Sequence, residues 1–220
     1  MKIVISLGGS LINPGKINYN FLKEFKNTIK KFSGYKIVIV TGGGKIAREY
    51  IGALKDKSEK VRSLIGIKAT KLNAMLVSNF LDNEVVVPDS LEEVGRILKR
   101  KNLVVCGSLG YRQDMTSDGT AADVARHLKA DLLINMTNVK GLYDKDPRKF
   151  KNAKFISEIS FGDFLRMANK VNYKPGQHFV LDQIAARIIR RYKIKTAILK
   201  DVNELEKCLK RNKFSGTVIC

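Results

Sequence analysis

Two glycine-rich turns, each directly after an apolar run, are the first residues of the chain that could do chemistry. Gly8-Gly9-Ser10 follows Ile3 to Leu7, and Thr41-Gly42-Gly43-Gly44-Lys45 follows Lys36 to Val40. Because glycine has no Cβ, its backbone N–H groups can close on phosphate oxygens, and a helix that starts there adds the positive end of its dipole. The residue types therefore indicate one phosphate-binding cradle built from both turns.

Two basic residues follow the second turn. Lys45 and Arg48 are three positions apart on a predicted helix, so both side chains can reach the same anion. Neither turn is a Walker A loop or a Gly-x-Gly-x-x-Gly fingerprint. One glycine turn alone is often no more than a tight turn, but two of them with basic residues behind favour phosphate binding.

Three further polar segments could contribute to the same site. Residues 115–122 open a predicted helix with good N-cap residues, so a plain capped helix is the alternative interpretation. Residues 137–147 follow a predicted strand as a polar turn that contains one tyrosine. Residues 174–177 read Lys-Pro-Gly-Gln, and residues 181–186 open another helix.

The elements that must position these residues alternate along the chain. Runs rich in Val and Ile alternate with amphipathic stretches, which is typical of βαβ units and of a mostly parallel sheet with helices on both faces. The predicted strands are Ile3 to Leu7, Lys36 to Val40, Glu84 to Val87, Leu103 to Cys106, Leu132 to Met136 and Thr196 to Leu199, with a short terminal strand from Gly216. The sequence thus predicts an α/β, three-layer αβα sandwich, in which ligands gather at the carboxyl ends of the strands.

Apolar residues recur at helical spacing between these strands. One stripe runs from Phe21 to Phe32 and another from Leu64 to Phe80, and both indicate core-facing helix surfaces. The chain has 220 residues, 44% of them hydrophobic, without a repeat or a Pro/Gly-rich linker. We therefore expect a single domain over residues 1–220.

The composition excludes some classes of protein. No apolar run reaches the ~18 residues of a membrane span, and the first strand meets glycine too early for a signal peptide, so a cytoplasmic protein without a membrane partner is expected. Cys106, Cys208 and Cys220 are scattered, which favours reduced structural thiols over a metal site. The net charge of +20 favours polyanionic partners, either nucleotides or nucleic acid.

Together the polar segments resemble the amino-acid-kinase superfamily, and within it most closely the archaeal type of UMP kinase. The resemblance covers nearly the whole chain. It rests on Ser-Leu-Gly-Gly-Ser, Thr-Gly-Gly-Gly-Lys-Ile-Ala-Arg-Glu-Tyr, the helix at 65–76 with Leu-Asn-Ala-Met-Leu, Thr-Asn-Val through Asp-Pro at 137–147, and the Gly176 to Asp182 spacing. Kinases of acetylglutamate, carbamate, aspartate and isopentenyl phosphate share the glycine pair but match the 65–76 and 137–147 stretches less well.

What the resemblance implies is ATP-dependent phosphorylation of UMP to UDP in pyrimidine nucleotide biosynthesis, with ATP and Mg²⁺ as cofactors. The positions that it implies for ATP binding are Gly9, Ser10, Gly44 and Arg48 at the phosphates, and Thr137, Asn138, Tyr143 and Asp146 around the adenine and ribose. It places the acceptor in the N-terminal half of the domain and ATP in the C-terminal half.

The resemblance also implies a catalytic set of Lys45, Arg48, Asp118 and Asp182. Asp118 matches an acidic residue near the phosphoryl-transfer centre, and Asp182 matches an Asp that supports this centre. Many superfamily members carry a catalytic Lys where this chain has Ser6. Lys45 is then the natural candidate to supply that positive charge.

Departures from the family pattern fall on the acceptor side. The acceptor-binding positions that the resemblance implies are Gly43, Ser63, Ser108 and Thr116. Ser63 stands where the family has a ribose-binding Asp, and the loop from 106 to 118 is three residues longer and lacks a Pro. Loss of a charged hydrogen-bond acceptor weakens ribose recognition unless Asp114 or Arg112 supplies new contacts.

Two other interpretations stay open. One is a sibling kinase that phosphorylates another small phosphate or carboxylate. The other is a relative that senses nucleotides or binds nucleic acid and has lost the acceptor site, which Ser63, the altered loop and the +20 charge suggest. Nucleotides are the expected partners, nucleic acid is not expected, and the resemblance implies a homo-oligomer, in the family a hexamer of dimers or at least a dimer.

Overall fold

Strands and helices alternate along the chain, as the apolar runs predict. The computed structural model of the protein describes residues 1–83, 86–147, 149–170 and 181–220. Its strands are β1 (Lys2–Leu7), β2 (Lys36–Thr41), β3 (Leu103–Cys106), β4 (Leu132–Met136), β5 (Leu142–Tyr143), β6 (Phe155–Ile156), β7 (Glu158–Ile159), β8 (Thr196–Leu199) and β9 (Gly216–Ile219). Its helices are α1 (Gly9–Ile12), α2 (Tyr19–Lys31), α3 (Gly44–Ala53), α4 (Glu59–Phe80), α5 (Leu91–Arg100), α6 (Ser117–Leu128), α7 (Phe161–Lys170), α8 (Gln183–Tyr192) and α9 (Val202–Leu209).

A central sheet joins seven strands of the described residues in the order β3-β2-β1-β4-β8-β9-β7. The first five of these strands run parallel to their neighbours, whereas β9 is antiparallel to β8 and β7 is parallel to β9. A separate antiparallel pair, β5 and β6, follows β4. The predicted α/β fold with a mostly parallel sheet is confirmed.

Helices cover both faces of the sheet because successive strand residues point to opposite sides. On one face Val4 packs in a buried cluster that extends into α5, α6, α7 and α8. On the other face Ile3, Ile5 and Leu7 pack in a second cluster that extends into α2, α4 and α9. The sheet is therefore apolar on both sides, as expected for parallel strands between helical layers.

Polar residues mark the starts of the helices near the sheet edge. The N-caps of α4, α6 and α8 are Ser58, Thr116 and Asp182, and each side chain accepts a bond from a backbone N–H of the first turn. Satisfying these otherwise unpaired groups stabilises a helix start by about 1 kcal/mol. The helices predicted to open near 115–122 and 181–186 are thus both present.

The sequence predicts that the stripe from Leu64 to Phe80 faces the core, but Leu64, Leu72 and Met75 are exposed, because α4 packs on the sheet through the face that carries Ala74 and Val77. The structure also differs from the sequence expectations at one predicted strand. Of the run from Glu84 to Val87, Val86 and Val87 are described and belong to no strand, and Glu84 and Val85 lie outside the described residues. The run meets Pro88, which has no N–H to donate to a sheet ladder, two residues before the N-cap of α5. The 174–177 turn and Gly176 also lie outside the described residues.

Two of the three cysteines are buried. Burial raises the pKa of Cys106 to about 12 and that of Cys208 to about 11, so both stay protonated and unreactive near neutral pH. In the described part of the chain, no helix combines the length and the apolar character that crossing a bilayer requires.

Candidate active site

The carboxyl ends of β1, β2 and β4 meet at one edge of the sheet. β1 lies between the other two, and all three are parallel, so Leu7 pairs with Thr41 on one side and with Met136 on the other. Backbone bonds continue past the strand ends: the N–H of Gly8 donates to the oxygen of Met136 at 3.0 Å, and that of Gly42 to the oxygen of Leu7 at 2.9 Å. The turns that follow β1 and β2 therefore leave the sheet side by side.

The two glycine turns touch through their backbones. A Cβ on Gly9 would lie 2.1 Å from the backbone nitrogen of Gly44, and a Cβ on Gly44 would lie 2.6 Å from the oxygen of Gly9. Gly44 also has a φ of 66°, a left-handed conformation that costs other residues energy. Glycine is thus required at both positions for the turns to approach this closely.

Helix α3 begins inside the second turn. Gly43 is its N-cap and has no side chain to accept from the first N–H groups, which leaves helix N–H groups for a ligand. Arg48 lies one turn further along the same helix and lines the cavity described next. This end of α3 combines a positive helix terminus with a guanidinium group.

A cavity of about 710 Å³ opens over this edge of the sheet. Its walls come from both glycine turns, the starts of α3, α4 and α6, the loop before α6 and the end of β4. Its volume lies in the range of pockets that hold small molecules. The sequence-predicted residues that line it are Gly9, Ser10, Gly43, Gly44, Arg48, Ser63, Ser108, Thr116, Asp118 and Thr137.

Lys45 is not part of the cavity wall. Its side chain is half exposed, and its Nζ lies 3.5 Å from Oε1 of Glu49 on the next turn of α3. The ammonium group would have to leave this weak, solvent-exposed ion pair to reach a phosphate in the cavity. Its catalytic role stays a prediction.

The residues predicted for adenine and ribose also lie mostly outside the wall. Thr137 lines the cavity at the end of β4, while Asn138 is exposed in the turn behind it. Tyr143 lies in β5 with its ring packed edge-on against Phe155, the centroids 5.4 Å apart. Asp146 follows in the next turn, where its backbone oxygen accepts from two N–H groups. Their contact with a nucleotide stays a prediction.

Among the described carboxyl groups that line the cavity, Asp118 has the pKa that its environment changes most. Ser6 lies on the same face of β1 as Val4, toward α6, and its hydroxyl donates to Oδ1 of Asp118 at 2.8 Å. Burial raises the pKa of Asp118 to about 7, the charge of Asp182 adds to this, and the bond from Ser6 opposes it. The carboxyl therefore changes its protonation state close to neutral pH.

Asp182 supports this carboxyl from behind the wall. Its Oδ1 accepts from the N–H groups of Ile184 and Ala185, both at 2.8 Å, and its Oδ2 accepts from the hydroxyl of Thr116. Thr116 in turn accepts from the N–H of Gly119 at 3.0 Å as the cap of α6. The Thr116–Asp182 bond joins the starts of α6 and α8, so Asp182 can position α6 without lining the cavity.

The loop before α6 is tied down on its outer side. Nη1 of Arg112 donates to Oδ2 of Asp123 at 2.6 Å, and Nε of Arg126 donates to the other carboxylate oxygen at 2.7 Å. Asp123 is only 4% exposed. Arg112 therefore anchors the loop and does not line the cavity, whereas Asp114 does.

Two polar residues of α4, to which the sequence analysis assigns no role, hold the cavity together. The hydroxyl of Thr70 accepts from the N–H of Ser108 at 2.8 Å, and its backbone oxygen accepts from the hydroxyl of Thr41 at 2.8 Å. Nδ2 of Asn73 donates to the oxygen of Gly42 at 2.7 Å. Both residues are polar on an otherwise apolar helix face, which is the signal that could have identified them.

Metal binding by side chains alone is not supported in the described part of the chain, where no group of three or more His, Cys, Asp or Glu residues lies close enough to hold an ion. Mg²⁺ usually keeps several waters and binds through substrate phosphates with few carboxylates, so it needs no such cluster. The cavity is therefore compatible with Mg²⁺ that enters on a nucleotide.

Comparison with known proteins places this geometry in a family. The sequence profile of the Amino acid kinase family matches residues 1–200. The uridylate kinase of Methanocaldococcus jannaschii is 38% identical over 226 aligned residues, with 100% of this chain and 99% of the relative covered, and that of Thermococcus kodakarensis is 36% identical with the same coverage. The crystal structure of uridylate kinase from Archaeoglobus fulgidus superposes with a TM-score of 0.88 at 35% identity and full coverage of both chains. The chain, with its paired glycine turns at the strand ends, therefore belongs to the amino acid kinase family.

Proposed function

We propose that this protein transfers the γ-phosphoryl group of ATP to UMP and releases UDP and ADP. The observation that carries the proposal is the cavity in which two touching glycine turns, the start of α3 and Arg48 converge. The similarity to uridylate kinases over the full length of both chains supports the choice of acceptor.

The acceptor oxygen of a monophosphate is already anionic, so the reaction needs no strong general base. The main obstacle is repulsion between two phosphates that must lie in line. Backbone N–H groups of the glycine turns, the N-terminus of α3 and Arg48 offset this repulsion and hold the two groups in place. Lys45 would add a further positive charge if it turns inward when the nucleotides bind.

Mg²⁺ would bind to the ATP phosphates and neutralise part of their charge. In the proposed mechanism the protein orients those phosphates through Gly9, Ser10 and Gly44. Asp118, ionised above about pH 7, orients the basic groups around the transferred phosphate and does not abstract a proton. Asp182 positions Asp118 through its bond to Thr116 at the start of α6.

The cavity suggests how the substrates are divided within one domain over residues 1–220. Arg48 and the glycine turns lie between an acceptor side, with Gly43, Ser63 and Ser108, and an ATP side that begins at Thr137. The acceptor side belongs mostly to the N-terminal half of the chain and the ATP side to the C-terminal half. Because its substrates are cellular nucleotides, we place the enzyme in the cytoplasm and in pyrimidine nucleotide biosynthesis.

Exposed apolar side chains on α4 support a homo-oligomer. Val61, Leu64, Leu72 and Met75 are between 41% and 56% exposed, although the opposite side of the helix is buried. Exposed apolar side chains on one helix face, here interrupted by Lys68, are typical of a surface that a partner covers. Light scattering after size-exclusion chromatography measures the mass of the assembly, and we expect a hexamer. Leu72→Asp should reduce this mass. A monomeric wild type would refute the proposed homo-oligomer.

An acceptor panel tests the function. ADP release from ATP and Mg²⁺ is measured with UMP, CMP, dUMP, AMP and non-nucleotide phosphates or carboxylates. Turnover that is highest with UMP supports the proposal. A higher rate with another small phosphate or carboxylate would identify a sibling kinase, and salt-dependent RNA binding without any turnover would identify a relative that has lost catalysis.

The same assay measures what Ser63 contributes. Because Ser63 lines the cavity but lacks the charge of the expected Asp, we predict a weak KM for UMP and little preference for UMP over dUMP. Ser63→Asp should recover part of both, and most clearly the preference for UMP over dUMP, since a hydrogen bond to a charged group contributes ~1.5–3 kcal/mol, or roughly ten- to a hundredfold. Micromolar KM with strong rejection of dUMP in the wild type would show that the loop already supplies this contact.

A further inference from the structure

Arg62 has an unpaired donor at the acceptor end of the cavity. It lies on the first turns of α4, beside Ser63, and lines the cavity together with Arg48. Its Nε is buried but has no hydrogen-bond partner among the described residues. Glu59 lines the same cavity one turn earlier, yet no ion pair joins it to Arg62 within the described structure.

An unpaired buried donor of this kind is unfavourable in the free protein. Most buried polar groups in native structures are hydrogen-bonded, and leaving a donor on a charged group unmatched costs more than the loss of an ordinary bond. A guanidinium group stays protonated in proteins, so loss of a proton does not relieve the cost of its burial. A ligand with exposed oxygen atoms would remove this cost.

The face of α4 that carries Arg62 is directed toward the phosphate cradle. Gly66 lies one turn further along this face, and its backbone oxygen is 3.7 Å from the position that a Cβ on Gly43 would take. Side chains four residues apart lie on the same helix face, and Arg side chains point back toward the N-terminus of their helix. Arg62, which lines the cavity, thus lies on the helix face that borders Gly43.

Ser63, the next residue along α4, leaves the positive charge of Arg62 available to a ligand. An Asp at position 63, as the family pattern has it, would place a carboxylate beside the guanidinium. Ser63 adds no charge there, and Glu59 forms no ion pair with Arg62 among the described residues. The acceptor end of the cavity therefore carries more positive charge than the pattern implies. Positive charge in a partly enclosed cavity attracts a phosphate dianion more strongly than a neutral sugar or base.

We propose that Arg62 is an acceptor-binding residue whose guanidinium donates to the phosphate of the acceptor nucleotide, on the side opposite Gly43. This proposal rests on the proposed function. It makes Arg62 of α4 the residue that distinguishes a phosphorylated acceptor from an unphosphorylated one. It adds a second arginine, beside Arg48, to the cavity in which the two phosphate groups would meet.

The test compares UMP with uridine in wild type, Arg62→Ala and Arg62→Lys. The Kd of UMP is measured by titration calorimetry without ATP, and uridine is measured as a competitive inhibitor of UMP turnover. We expect Arg62→Ala to raise the Kd of UMP by roughly ten- to a hundredfold and to leave the inhibition constant of uridine unchanged. Arg62→Lys, which keeps the charge but loses the planar fork, should fall between wild type and Arg62→Ala.

Two controls separate binding from folding. Arg96→Ala removes an exposed arginine of α5 that pairs with Glu93, and it should change neither constant. The Tm of free Arg62→Ala should not fall, because its Nε makes no hydrogen bond to the described residues that the substitution could remove. The KM for ATP should also stay the same.

Several results would overturn the proposal. An unchanged Kd for UMP in Arg62→Ala would exclude the contact, and an equal loss for UMP and uridine would place it on the sugar or base. A lower Tm together with an equal rise in the ATP and UMP constants would mean a structural role. Wild type that turns over no UMP would instead refute the proposed function, so the two failures are distinguishable.

Discussion

Replacing Asp118 with Asn should stabilise the protein above neutral pH while it lowers activity. The pKa of Asp118 is held at about 7, instead of the ordinary 3.8, by burial and by the charge of Asp182. At pH 8 the folded protein therefore contains a carboxylate that is more favourable in the unfolded chain. Asn carries no charge, and its Oδ1 can still accept from the hydroxyl of Ser6.

The size of the effect follows from the pKa values. At roughly 1.4 kcal/mol per pKa unit, a pKa of about 7 against 3.8 destabilises the folded state by about 4 kcal/mol once Asp118 is ionised. For a chain of 220 residues this corresponds to a rise of about 8–16 °C in Tm for the Asn variant, as an upper value.

The sign of the pH dependence is fixed by the same shift. Below pH 3.8 the carboxyl is protonated in both the folded and the unfolded state, so the variant gains nothing there. As the pH rises toward 7, the wild type loses this stability and Asp118→Asn does not. The difference in Tm between variant and wild type should therefore grow from pH 4 to pH 8.

Asp123 on the same helix is the matched control. Its carboxylate accepts from Arg112 and Arg126, and these bonds lower its pKa in spite of burial. Asp123→Asn should therefore destabilise the protein at pH 8, and the difference should shrink as the pH falls. Calorimetric Tm at five pH values and kcat for UMP are measured for both variants.

Three outcomes would refute this reasoning. They are a Tm difference for Asp118→Asn that does not vary with pH, a lower Tm than wild type at pH 8, or the same sign of pH dependence for both variants. Undiminished kcat in Asp118→Asn would remove Asp118 from the catalytic set.

Three further predictions concern the glycine turns and the nucleotide contacts. Gly9→Ala should lower the Tm and abolish turnover, because its Cβ would lie 2.1 Å from a backbone nitrogen. Gly34→Ala, whose Cβ would have nothing within 4 Å, should change neither the Tm nor the rate. A Gly9→Ala variant that retains turnover would exclude the contact between the turns. Arg48→Ala and Lys45→Ala should each lower kcat/KM at least about tenfold through loss of a charge-assisted phosphate contact, and an unchanged rate in either removes that residue from the cradle. Tyr143→Ala should raise the KM for ATP and leave that for UMP nearly unchanged, whereas equal rises in both would mean a structural role.

Local sequence patterns determine much of the fold. The runs of Val and Ile, the glycine turns after them and the helical stripes predict five of the parallel strands and the helices between them, because period and turn chemistry act over a few residues. The short β5–β6 pair gives no such signal, since two residues are too few for a period. The Val-rich run before Pro88 has the composition of a strand, but its described residues belong to none.

Part of the candidate site, like part of the fold, can also be predicted from the sequence. The glycines and Arg48, and the polar segment that contains Thr116 and Asp118, can be selected from residue type and position after a strand or before a helix. Ser63 lies within α4 and is selected only through the resemblance to the family. Their juxtaposition follows from the parallel register of β1, β2 and β4.

Only the tertiary structure decides which charges are compensated. Arg112 and Asp123 are eleven residues apart, and Thr116 and Asp182 are sixty-six apart, yet each pair forms a hydrogen bond. In the sequence Arg62 is one of many basic residues, and only the folded protein shows that its Nε is buried without a hydrogen-bond partner in the part of the chain that the structure describes. The pKa of a carboxyl and the availability of a guanidinium for a ligand depend on burial and on groups that packing brings close. Neither can be inferred from the sequence of a single strand or helix.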